Sequence, residues 1–466
     1  MNLSSHVRPA PTRRDFLTKA GAGFGSLALS YLLSRESAFA AVAPPLFARA
    51  KSVIWLFMEG GPSHVDLFDP KPLLTELGGK PMPASFGKVI TAMGTSNNTL
   101  LASKRTFKQH GQSGLWVSDW FPKVARYADD LCVLRSCWAD GLNHVGSVCQ
   151  MNTGSILAGR PSMGAWINFG LGSVNDNLPA FVVLTDAAEV NGGPVNWSAG
   201  FLPATYQGTQ FRRDGTPVFH LTPPSKVGDR QQRAKLDLLA EMNHRFDARR
   251  DNDSELDARI KAYELAYRMQ TAAPEAVDIR RETAATRTLY GLDDRKTSVT
   301  GSNCLLARRL VERGVRFVQV YSGSGSGWDA HANVEDNHSK MCYSCDQPIA
   351  GLLADLKSRG MLDDTLVVWG GEFGRTPFNE NGVGRDHNPW GFTIWMAGGG
   401  VKPGTAVGTT DALGLRAEER PMHVNDVHAT ILALMGLDHL KLTYPHNGRQ
   451  ERATVNGGEV VREVIA

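Results

Sequence analysis

The sequence has 466 residues, with 50 Lys and Arg against 47 Asp and Glu, a formal net charge of +3. Residues 1–40 hold five of the basic side chains (Arg8, Arg13, Arg14, Lys19, Arg35) and two of the acidic ones (Asp15, Glu36), so the remaining 426 residues carry 45 of each sign. A formally neutral body excludes a nucleic-acid binder or a polybasic membrane-surface protein, which need clustered positive charge to meet phosphates, and 42% hydrophobic with 21% charged residues excludes a disordered or coiled-coil chain. At roughly 150 residues per domain the length suggests about three domains, but large α/β enzymes reach this size as one unit.

Thr12-Arg13-Arg14-Asp15-Phe16-Leu17-Thr18-Lys19 precedes a mild apolar stretch from Ala20 to about Leu33, and Ala38-Phe39-Ala40 follows. A charged region with a twin arginine, a short apolar region and a small-x-small site predict a twin-arginine export signal over residues 1–40, removed before a body spanning 41–466. The stretch is shorter than the ~20 apolar residues of a spanning helix and contains Gly21, Gly23 and Gly25. A periplasmic or otherwise exported protein with no transmembrane segment in its mature chain is expected, with the twin-arginine translocase as its partner during export. That route carries folded proteins, often with a cofactor already inserted, which favours a metal or prosthetic group.

Six cysteines, Cys132, Cys137, Cys149, Cys304, Cys342 and Cys345, all fall in the body. They are too sparse for a disulfide scaffold. Cys342-Tyr343-Ser344-Cys345 has the spacing of a redox pair or half a metal site, but no second CxxC exists and Asp346 stands where a c-type haem requires His. Two half-buried cysteines on one helix are the expectation.

Short apolar runs rich in β-branched residues recur at 53–57, 131–134, 181–184, 315–320, 365–369 and 392–396. Near-continuous apolar strands are buried on both faces, as in a parallel sheet covered by helices. Helical spacing appears between them at 119–130, 145–157, 302–313 and 334–359. The alternation predicts an α/β sandwich with a mostly parallel central sheet. Residues 229–290 are highly charged, with Leu238, Met242, Phe246, Leu256 and Ile260 at helical spacing, and predict a helical insertion acting as a cap or oligomer surface. Residues 186–225, rich in Gly, Pro and aromatics, predict a long excursion over one edge of the sheet.

Ligands of open α/β sheets bind beyond the carboxyl ends of the strands. There the sequence places Glu59, His64, Asp66 and Asp69 after the first run; Asp140 and His144 after the second, leading into a helix whose free N–H groups suit an anion; Asp329 and His331 after the run at 315–320; and Glu372, Arg375, Arg385, Asp386 and His387 after that at 365–369. Carboxylates mixed with imidazoles suit Zn, Mn, Mg or Ca, and two such ions could clamp the attacking and leaving oxygens of a phosphate or sulfate ester. Taken singly, an Asp or Glu in a Gly-rich turn more often caps a helix or holds the turn. The Gly-rich run 322–327 lacks the Gly-Lys-Ser/Thr of a phosphate loop.

Residues 12–19, the run from Gly60 to Pro72 (GGPSHVDLFDPKP), Gly371-Glu372-Phe373-Gly374-Arg375-Thr376-Pro377 and Asp426-Val427-His428-Ala429-Thr430 resemble a large family of exported bacterial proteins known by a numbered domain of unknown function. The match runs from about Val53 to the C-terminus. That family is in turn similar to sulfatases and the alkaline phosphatase superfamily, which implies an alkaline-phosphatase-like three-layer sandwich. Residues 361–368 resemble the sulfatase segment leading into a metal-binding Asp-His, and Asn152-Thr153-Gly154 the end of the nucleophile helix. By this resemblance Glu372 takes a metal-ligand position, Phe373 replaces the neighbouring His, His387 is a ligand, and Asp329 or His331 supplies ligands from the preceding strand. The nucleophile position falls on His144, followed by Val145 and Gly146, so no formylglycine can be made.

The expectation is an exported sulfatase-like, metal-dependent hydrolase of a small or polymeric anionic sulfate or phosphate ester. His144 and Arg375 would act on substrate, and Asp66, Asp329, His331, Glu372, Asp386 and His387 would hold a divalent metal (Zn, Ca, Mg or Mn). The alternative is a sulfatase-like binding or surface-assembly protein that has lost the chemistry, as Phe373 and the missing nucleophile suggest.

Overall fold

The strand Ser52–Met58 (β1) is buried at all seven positions, and its side chains divide between two apolar cores. Ile54, Leu56 and Met58 face one and Val53, Trp55 and Phe57 the other, because successive strand residues point to opposite faces. A sheet buried on both sides is thus written into one run of residues. The computed structural model describes residues 48–186, 189–212, 228–247, 254–455 and 457–466. The expected export signal lies outside the described residues.

Eight further strands complete the sheet: β2 (Leu131–Trp138), β3 (Phe181–Leu184), β4 (Thr209–Phe211), β5 (Phe317–Ser322), β6 (Thr365–Gly370), β7 (Phe392–Ala397), β8 (Thr405–Val407) and β9 (Met422–His423). Their order is β8-β2-β7-β6-β1-β5-β3-β4, with β9 also paired to β2. All pairings are parallel except those of β7, which runs antiparallel to both β6 and β2. The chain is therefore mixed α/β with a large, mostly parallel central sheet.

On the first face lie α5 (Ser298–Glu312) and α6 (Val334–Ser358); on the second, α1 (His144–Thr153), α2 (Met163–Leu171) and α7 (Val424–Leu434). The insertion forms α3 (Asp229–Asp247) and α4 (Ser254–Val277). Met269, Ala273 and Ala276 of α4 join the core of the α5/α6 layer, so the insertion thickens that face. The expected excursion supplies edge strand β4, which pairs with β3; its residues 213–225 lie outside the described ones.

Two expected helices differ. The segment 119–130 yields only a 3₁₀ stretch, Val124–Asp130, broken at Tyr127 (φ −104°, ψ 16°). The helix expected over 145–157 starts at His144, where the Asn143 side chain accepts the Gly146 N–H, and stops at Thr153, where Gly154 takes φ +80°. Cys342 and Cys345 face inward from α6, and all six cysteines are free and buried. Burial raises the thiol pKa values of both well above the ordinary range, the mark of core residues.

Candidate metal centre

Parallel register brings three strand ends level. Met58 lies opposite Ser322 and Phe57 opposite Gly370, so the chain leaves β1, β5 and β6 at the same edge. Beyond β6 a hairpin, Gly374–Arg375 paired with His387–Asn388, turns back toward β7 and carries Glu380, Arg385 and Asp386. Backbone bonds from Arg385 N to the Ala330 carbonyl (3.0 Å) and from Val334 N to that of Val383 (3.0 Å) lay the hairpin against the loop after β5. His144, first residue of α1, reaches the same place from beyond β2.

Four of the expected residues converge: His144, Asp329, His331 and His387, whose ligand atoms all lie within 4.8 Å of one another. Each imidazole is tethered at Nδ1. His387 Nδ1 donates to the Leu142 carbonyl (2.8 Å), His331 Nδ1 to Glu380 Oε2 (2.6 Å) and His144 Nδ1 to Glu372 Oε1 (2.6 Å). The tethers turn all three Nε2 atoms toward Asp329, at 3.2 Å from Oδ2 for His144 and at 3.0 and 3.5 Å from Oδ1 for His331 and His387. Carboxylates and carbonyls on the far nitrogen are the usual means of fixing an imidazole ligand.

Electrostatics at the cluster favour positive charge. Burial opposes ionisation of His144, but the nearby carboxylates of Asp329 and Glu372 outweigh it and raise its pKa to about 9. The bond to Asp329 raises His331, against the burial that opposes it. Asp329 is held far below the usual carboxylate range: burial works against this, and His144, His331, His387 and Arg375 override it. His387 is lowered, first by burial and then by Arg375. Since His387 Nδ1–H is committed to Leu142, its Nε2 is an acceptor, 3.0 Å from His331 Nε2. His144 Nε2 is close to Asp329 without hydrogen-bond alignment and is buried with no partner.

The residues fit a cation. A tetrahedral ion with ~2.0–2.1 Å bonds to nitrogen and oxygen sets its ligand atoms about 3.3 Å apart, and the separations here bracket that edge: 3.0 Å between His331 Nε2 and His387 Nε2, 3.0 and 3.5 Å from those atoms to Asp329 Oδ1, and 3.2 Å from His144 Nε2 to Asp329 Oδ2. Asp329 and His331 retain 24% and 22% side-chain exposure, so the cluster is open on one side.

The other expected site residues lie elsewhere in the network. Glu372 is fully buried and accepts the Gly60 N–H (2.9 Å) as well as His144. Asp386 accepts from Met93 N, Thr95 Oγ1 and its neighbour's N–H, at 2.9, 2.9 and 2.7 Å. Asp66 forms a two-pronged pair with Arg385, 2.8 and 3.3 Å, both fully buried. Arg375 is also fully buried and bonds through all three nitrogens: to Gly61 O (3.0 Å), Arg385 O (3.1 Å), Gly60 O and Asp329 Oδ1 (2.6 Å). It positions Asp329 rather than facing outward to an ester. The Gly-rich loop after β5 presents its N–H groups inward, Gly323 and Ser324 to Asp186 (2.6 and 3.0 Å) and Gly325 to Glu59 (3.2 Å). Its anions are side chains of the protein itself. Glu380 and the Leu142 carbonyl were not expected; in the sequence, Asn379-Glu380-Asn381-Gly382 reads only as a turn.

Residues 50–465 match the family described as "Protein of unknown function (DUF1501)". The chain belongs to that family. No curated protein matches it. Among solved structures it is similar to the alkaline phosphatase of the Antarctic bacterium TAB5, with 11% identity and a TM-score of 0.35 over 84% of this chain and 99% of that one. It is likewise similar to a Listeria monocytogenes lipoteichoic acid synthase, at 9% and 0.37 over 90% and 80%. A Pseudoalteromonas sp. sulfatase matches at 12% and 0.34 over 89% and 71%. The DUF1501 motifs explain themselves locally. In Asp426-Val427-His428, Asp426 accepts His423 N (2.7 Å) to cap α7, and buried His428 bonds the Met151 carbonyl (2.8 Å) to hold α7 on α1. His64 bonds the Gly414 carbonyl (2.7 Å), so the motif after β1 clamps the loops together.

Proposed function

We propose that this protein is an exported, metal-dependent hydrolase of sulfate or phosphate esters. The observation that carries the reading is the convergence of three tethered imidazoles and one carboxylate at the level ends of β1, β5 and β6, on a side open to solvent. A divalent cation held by His144, Asp329, His331 and His387 would act as a Lewis acid on an ester oxygen and lower the pKa of a water. The chain supplies the orientation. Glu372 and Glu380 hold His144 and His331, Arg375 fixes Asp329, and Phe373 packs against His144 and His387 with ring centroids at 5.1 and 4.5 Å, an apolar wall that keeps water from that flank. His144 stands at the nucleophile position of the resembled superfamily, yet its Nε2 points at Asp329 and its Nδ1 is occupied by Glu372, so attack by water is the reading the residues support. The N-terminus of α1 beside His144 brings the favourable end of a helix dipole to an anionic ester. Export through the twin-arginine translocase rests on residues 12–40; among the described residues no helix is long and apolar enough to cross a membrane.

The test is hydrolysis of aryl sulfates, phosphate monoesters and phosphate diesters by the purified chain. Activity on one class is expected, abolished by chelation and by His387→Ala. A metal-loaded chain inert on all three classes overturns the hydrolase reading and supports the binding-protein alternative.

A further inference from the structure

The ligand set decides more than the presence of a metal. We infer that the centre is a single-ion, imidazole-rich site, built from the Nε2 atoms of His144, His331 and His387 with one oxygen of Asp329, and that it selects Zn²⁺ or a similar borderline cation over Mg²⁺ and Ca²⁺. This rests on the metal-dependent part of the proposed function and narrows it.

The count follows from where the carboxylates go. A second ion a few ångströms away needs its own oxygen ligands, and among the described residues every nearby candidate already serves a protein donor. Asp66 is paired with Arg385, Glu372 with Gly60 N and His144, Glu59 with Asn191 and Gly325, and Asp386 with Met93, Thr95 and His387 N. A second grouping, His331 with Glu380 and Asp386, lies within reach of an ion. It shares His331, however, and Glu380 Oε2 is bonded to His331 Nδ1. Occupying it would release the tether that aims His331 at Asp329.

The preference follows from donor type. Mg²⁺ and Ca²⁺ take oxygen ligands, six to eight of them for Ca²⁺, whereas this cluster offers three nitrogens and a single carboxylate, whose Oδ1 is also engaged by Arg375. Imidazole suits Zn²⁺, Co²⁺, Ni²⁺ and Cu²⁺. With Nδ1 tethered, each imidazole directs Nε2 inward, where a borderline ion takes the place of any proton. Glu372 and Glu380 act as positioning residues, since each touches an imidazole and not the ion's place.

The experiment uses the purified full chain, stripped with a chelator and equilibrated with Zn²⁺ in the presence of a large excess of Mg²⁺ and Ca²⁺, which donor type disfavours. Bound metal is then measured by elemental analysis, and Co²⁺ in place of Zn²⁺ is followed by its visible absorption. One zinc per chain is expected, together with a cobalt spectrum of a low-coordinate nitrogen-rich site. Glu372→Gln and Glu380→Gln should weaken zinc binding by about 10–100-fold with circular dichroism unchanged, and Asp386→Asn should retain one zinc. Two ions per chain, displacement of zinc by the hard cations, no zinc at all, or loss of zinc in Asp386→Asn would each overturn the inference. Metal content is read without turnover, so one tightly held zinc on a chain that hydrolyses no ester sinks the hydrolase reading and leaves this one standing.

Discussion

Asp66 and Asp329 look alike in the sequence, each an aspartate near a histidine in a loop after a strand. Their surroundings separate them. Asp66 is fully buried; its burial opposes the charge, but the Arg385 guanidinium outweighs this and holds it below the usual carboxylate range. Asp329 faces three imidazoles and retains 24% exposure. Removing one partner of a buried ion pair leaves an uncompensated charge and costs about 3–5 kcal/mol. Asp66→Asn should therefore lower unfolding free energy by that amount in a urea titration, while the folded protein keeps the metal proposed for the centre. A loss below about 1 kcal/mol together with lost metal would make Asp66 a ligand instead.

At the scale of elements, the centre depends on how closely the loop after β1 approaches the loop after β5. Gly60 adopts φ +115°, and a Cβ there would stand 2.5 Å from Asp329 N and 2.6 Å from Trp328 N. Backbone cannot yield as a flexible side chain can, so Gly60→Ala should displace Asp329 and reduce both stability and metal affinity. Gly94 is the control: its φ of +72° and ψ of 23° are left-handed helical and nothing lies near the absent Cβ, so Gly94→Ala should cost only about 1 kcal/mol, the backbone penalty alone. Equal thermal shifts in the two variants would show that the contact between these loops has no special weight. Much of the element scale was readable beforehand. The strands at 181–184 and 365–370 follow from continuous apolar runs, whereas 119–130 misled because its apolar spacing serves a 3₁₀ turn with Val124, Ala125 and Ala128 packed into the core.

For the whole molecule, pH sensitivity comes from histidines that serve packing. His338 accepts the Ser63 N–H and His428 bonds Met151 O; burial drives their pKa values down from 6.5 to about 3 and about 4. The unfolded chain binds these protons more readily than the folded one, so stability present above pH 6.5 is lost as pH falls toward those values, by about 1.4 kcal/mol per pH unit for each group. Asp346 acts oppositely: burial raises it to about 6 from 3.8, so protonation favours the folded state across that window. His64 and His439, also lowered by burial, add to the loss, while Glu59 and Glu335, raised by burial, act with Asp346; the histidines outweigh the carboxylates, so urea midpoints should fall between pH 6.5 and pH 4.5, with a shallower slope in His338→Gln. A midpoint that rises over this range would contradict the assignment.

What the sequence determined by itself was local: burial of the strands from their apolar continuity, the residue types waiting at their carboxyl ends, the motifs of the family, and the balance of 45 charges of each sign outside residues 1–40. These depend on periods of a few residues and on composition, which a one-dimensional reading carries. Tertiary structure alone decided which carboxylates face imidazoles and which face arginines. Arg375 meets Asp329 across 46 residues and Arg385 meets Asp66 across 319, and whether a charged group binds an ion or locks a loop depends on the partner that folding places within about 3 Å of it.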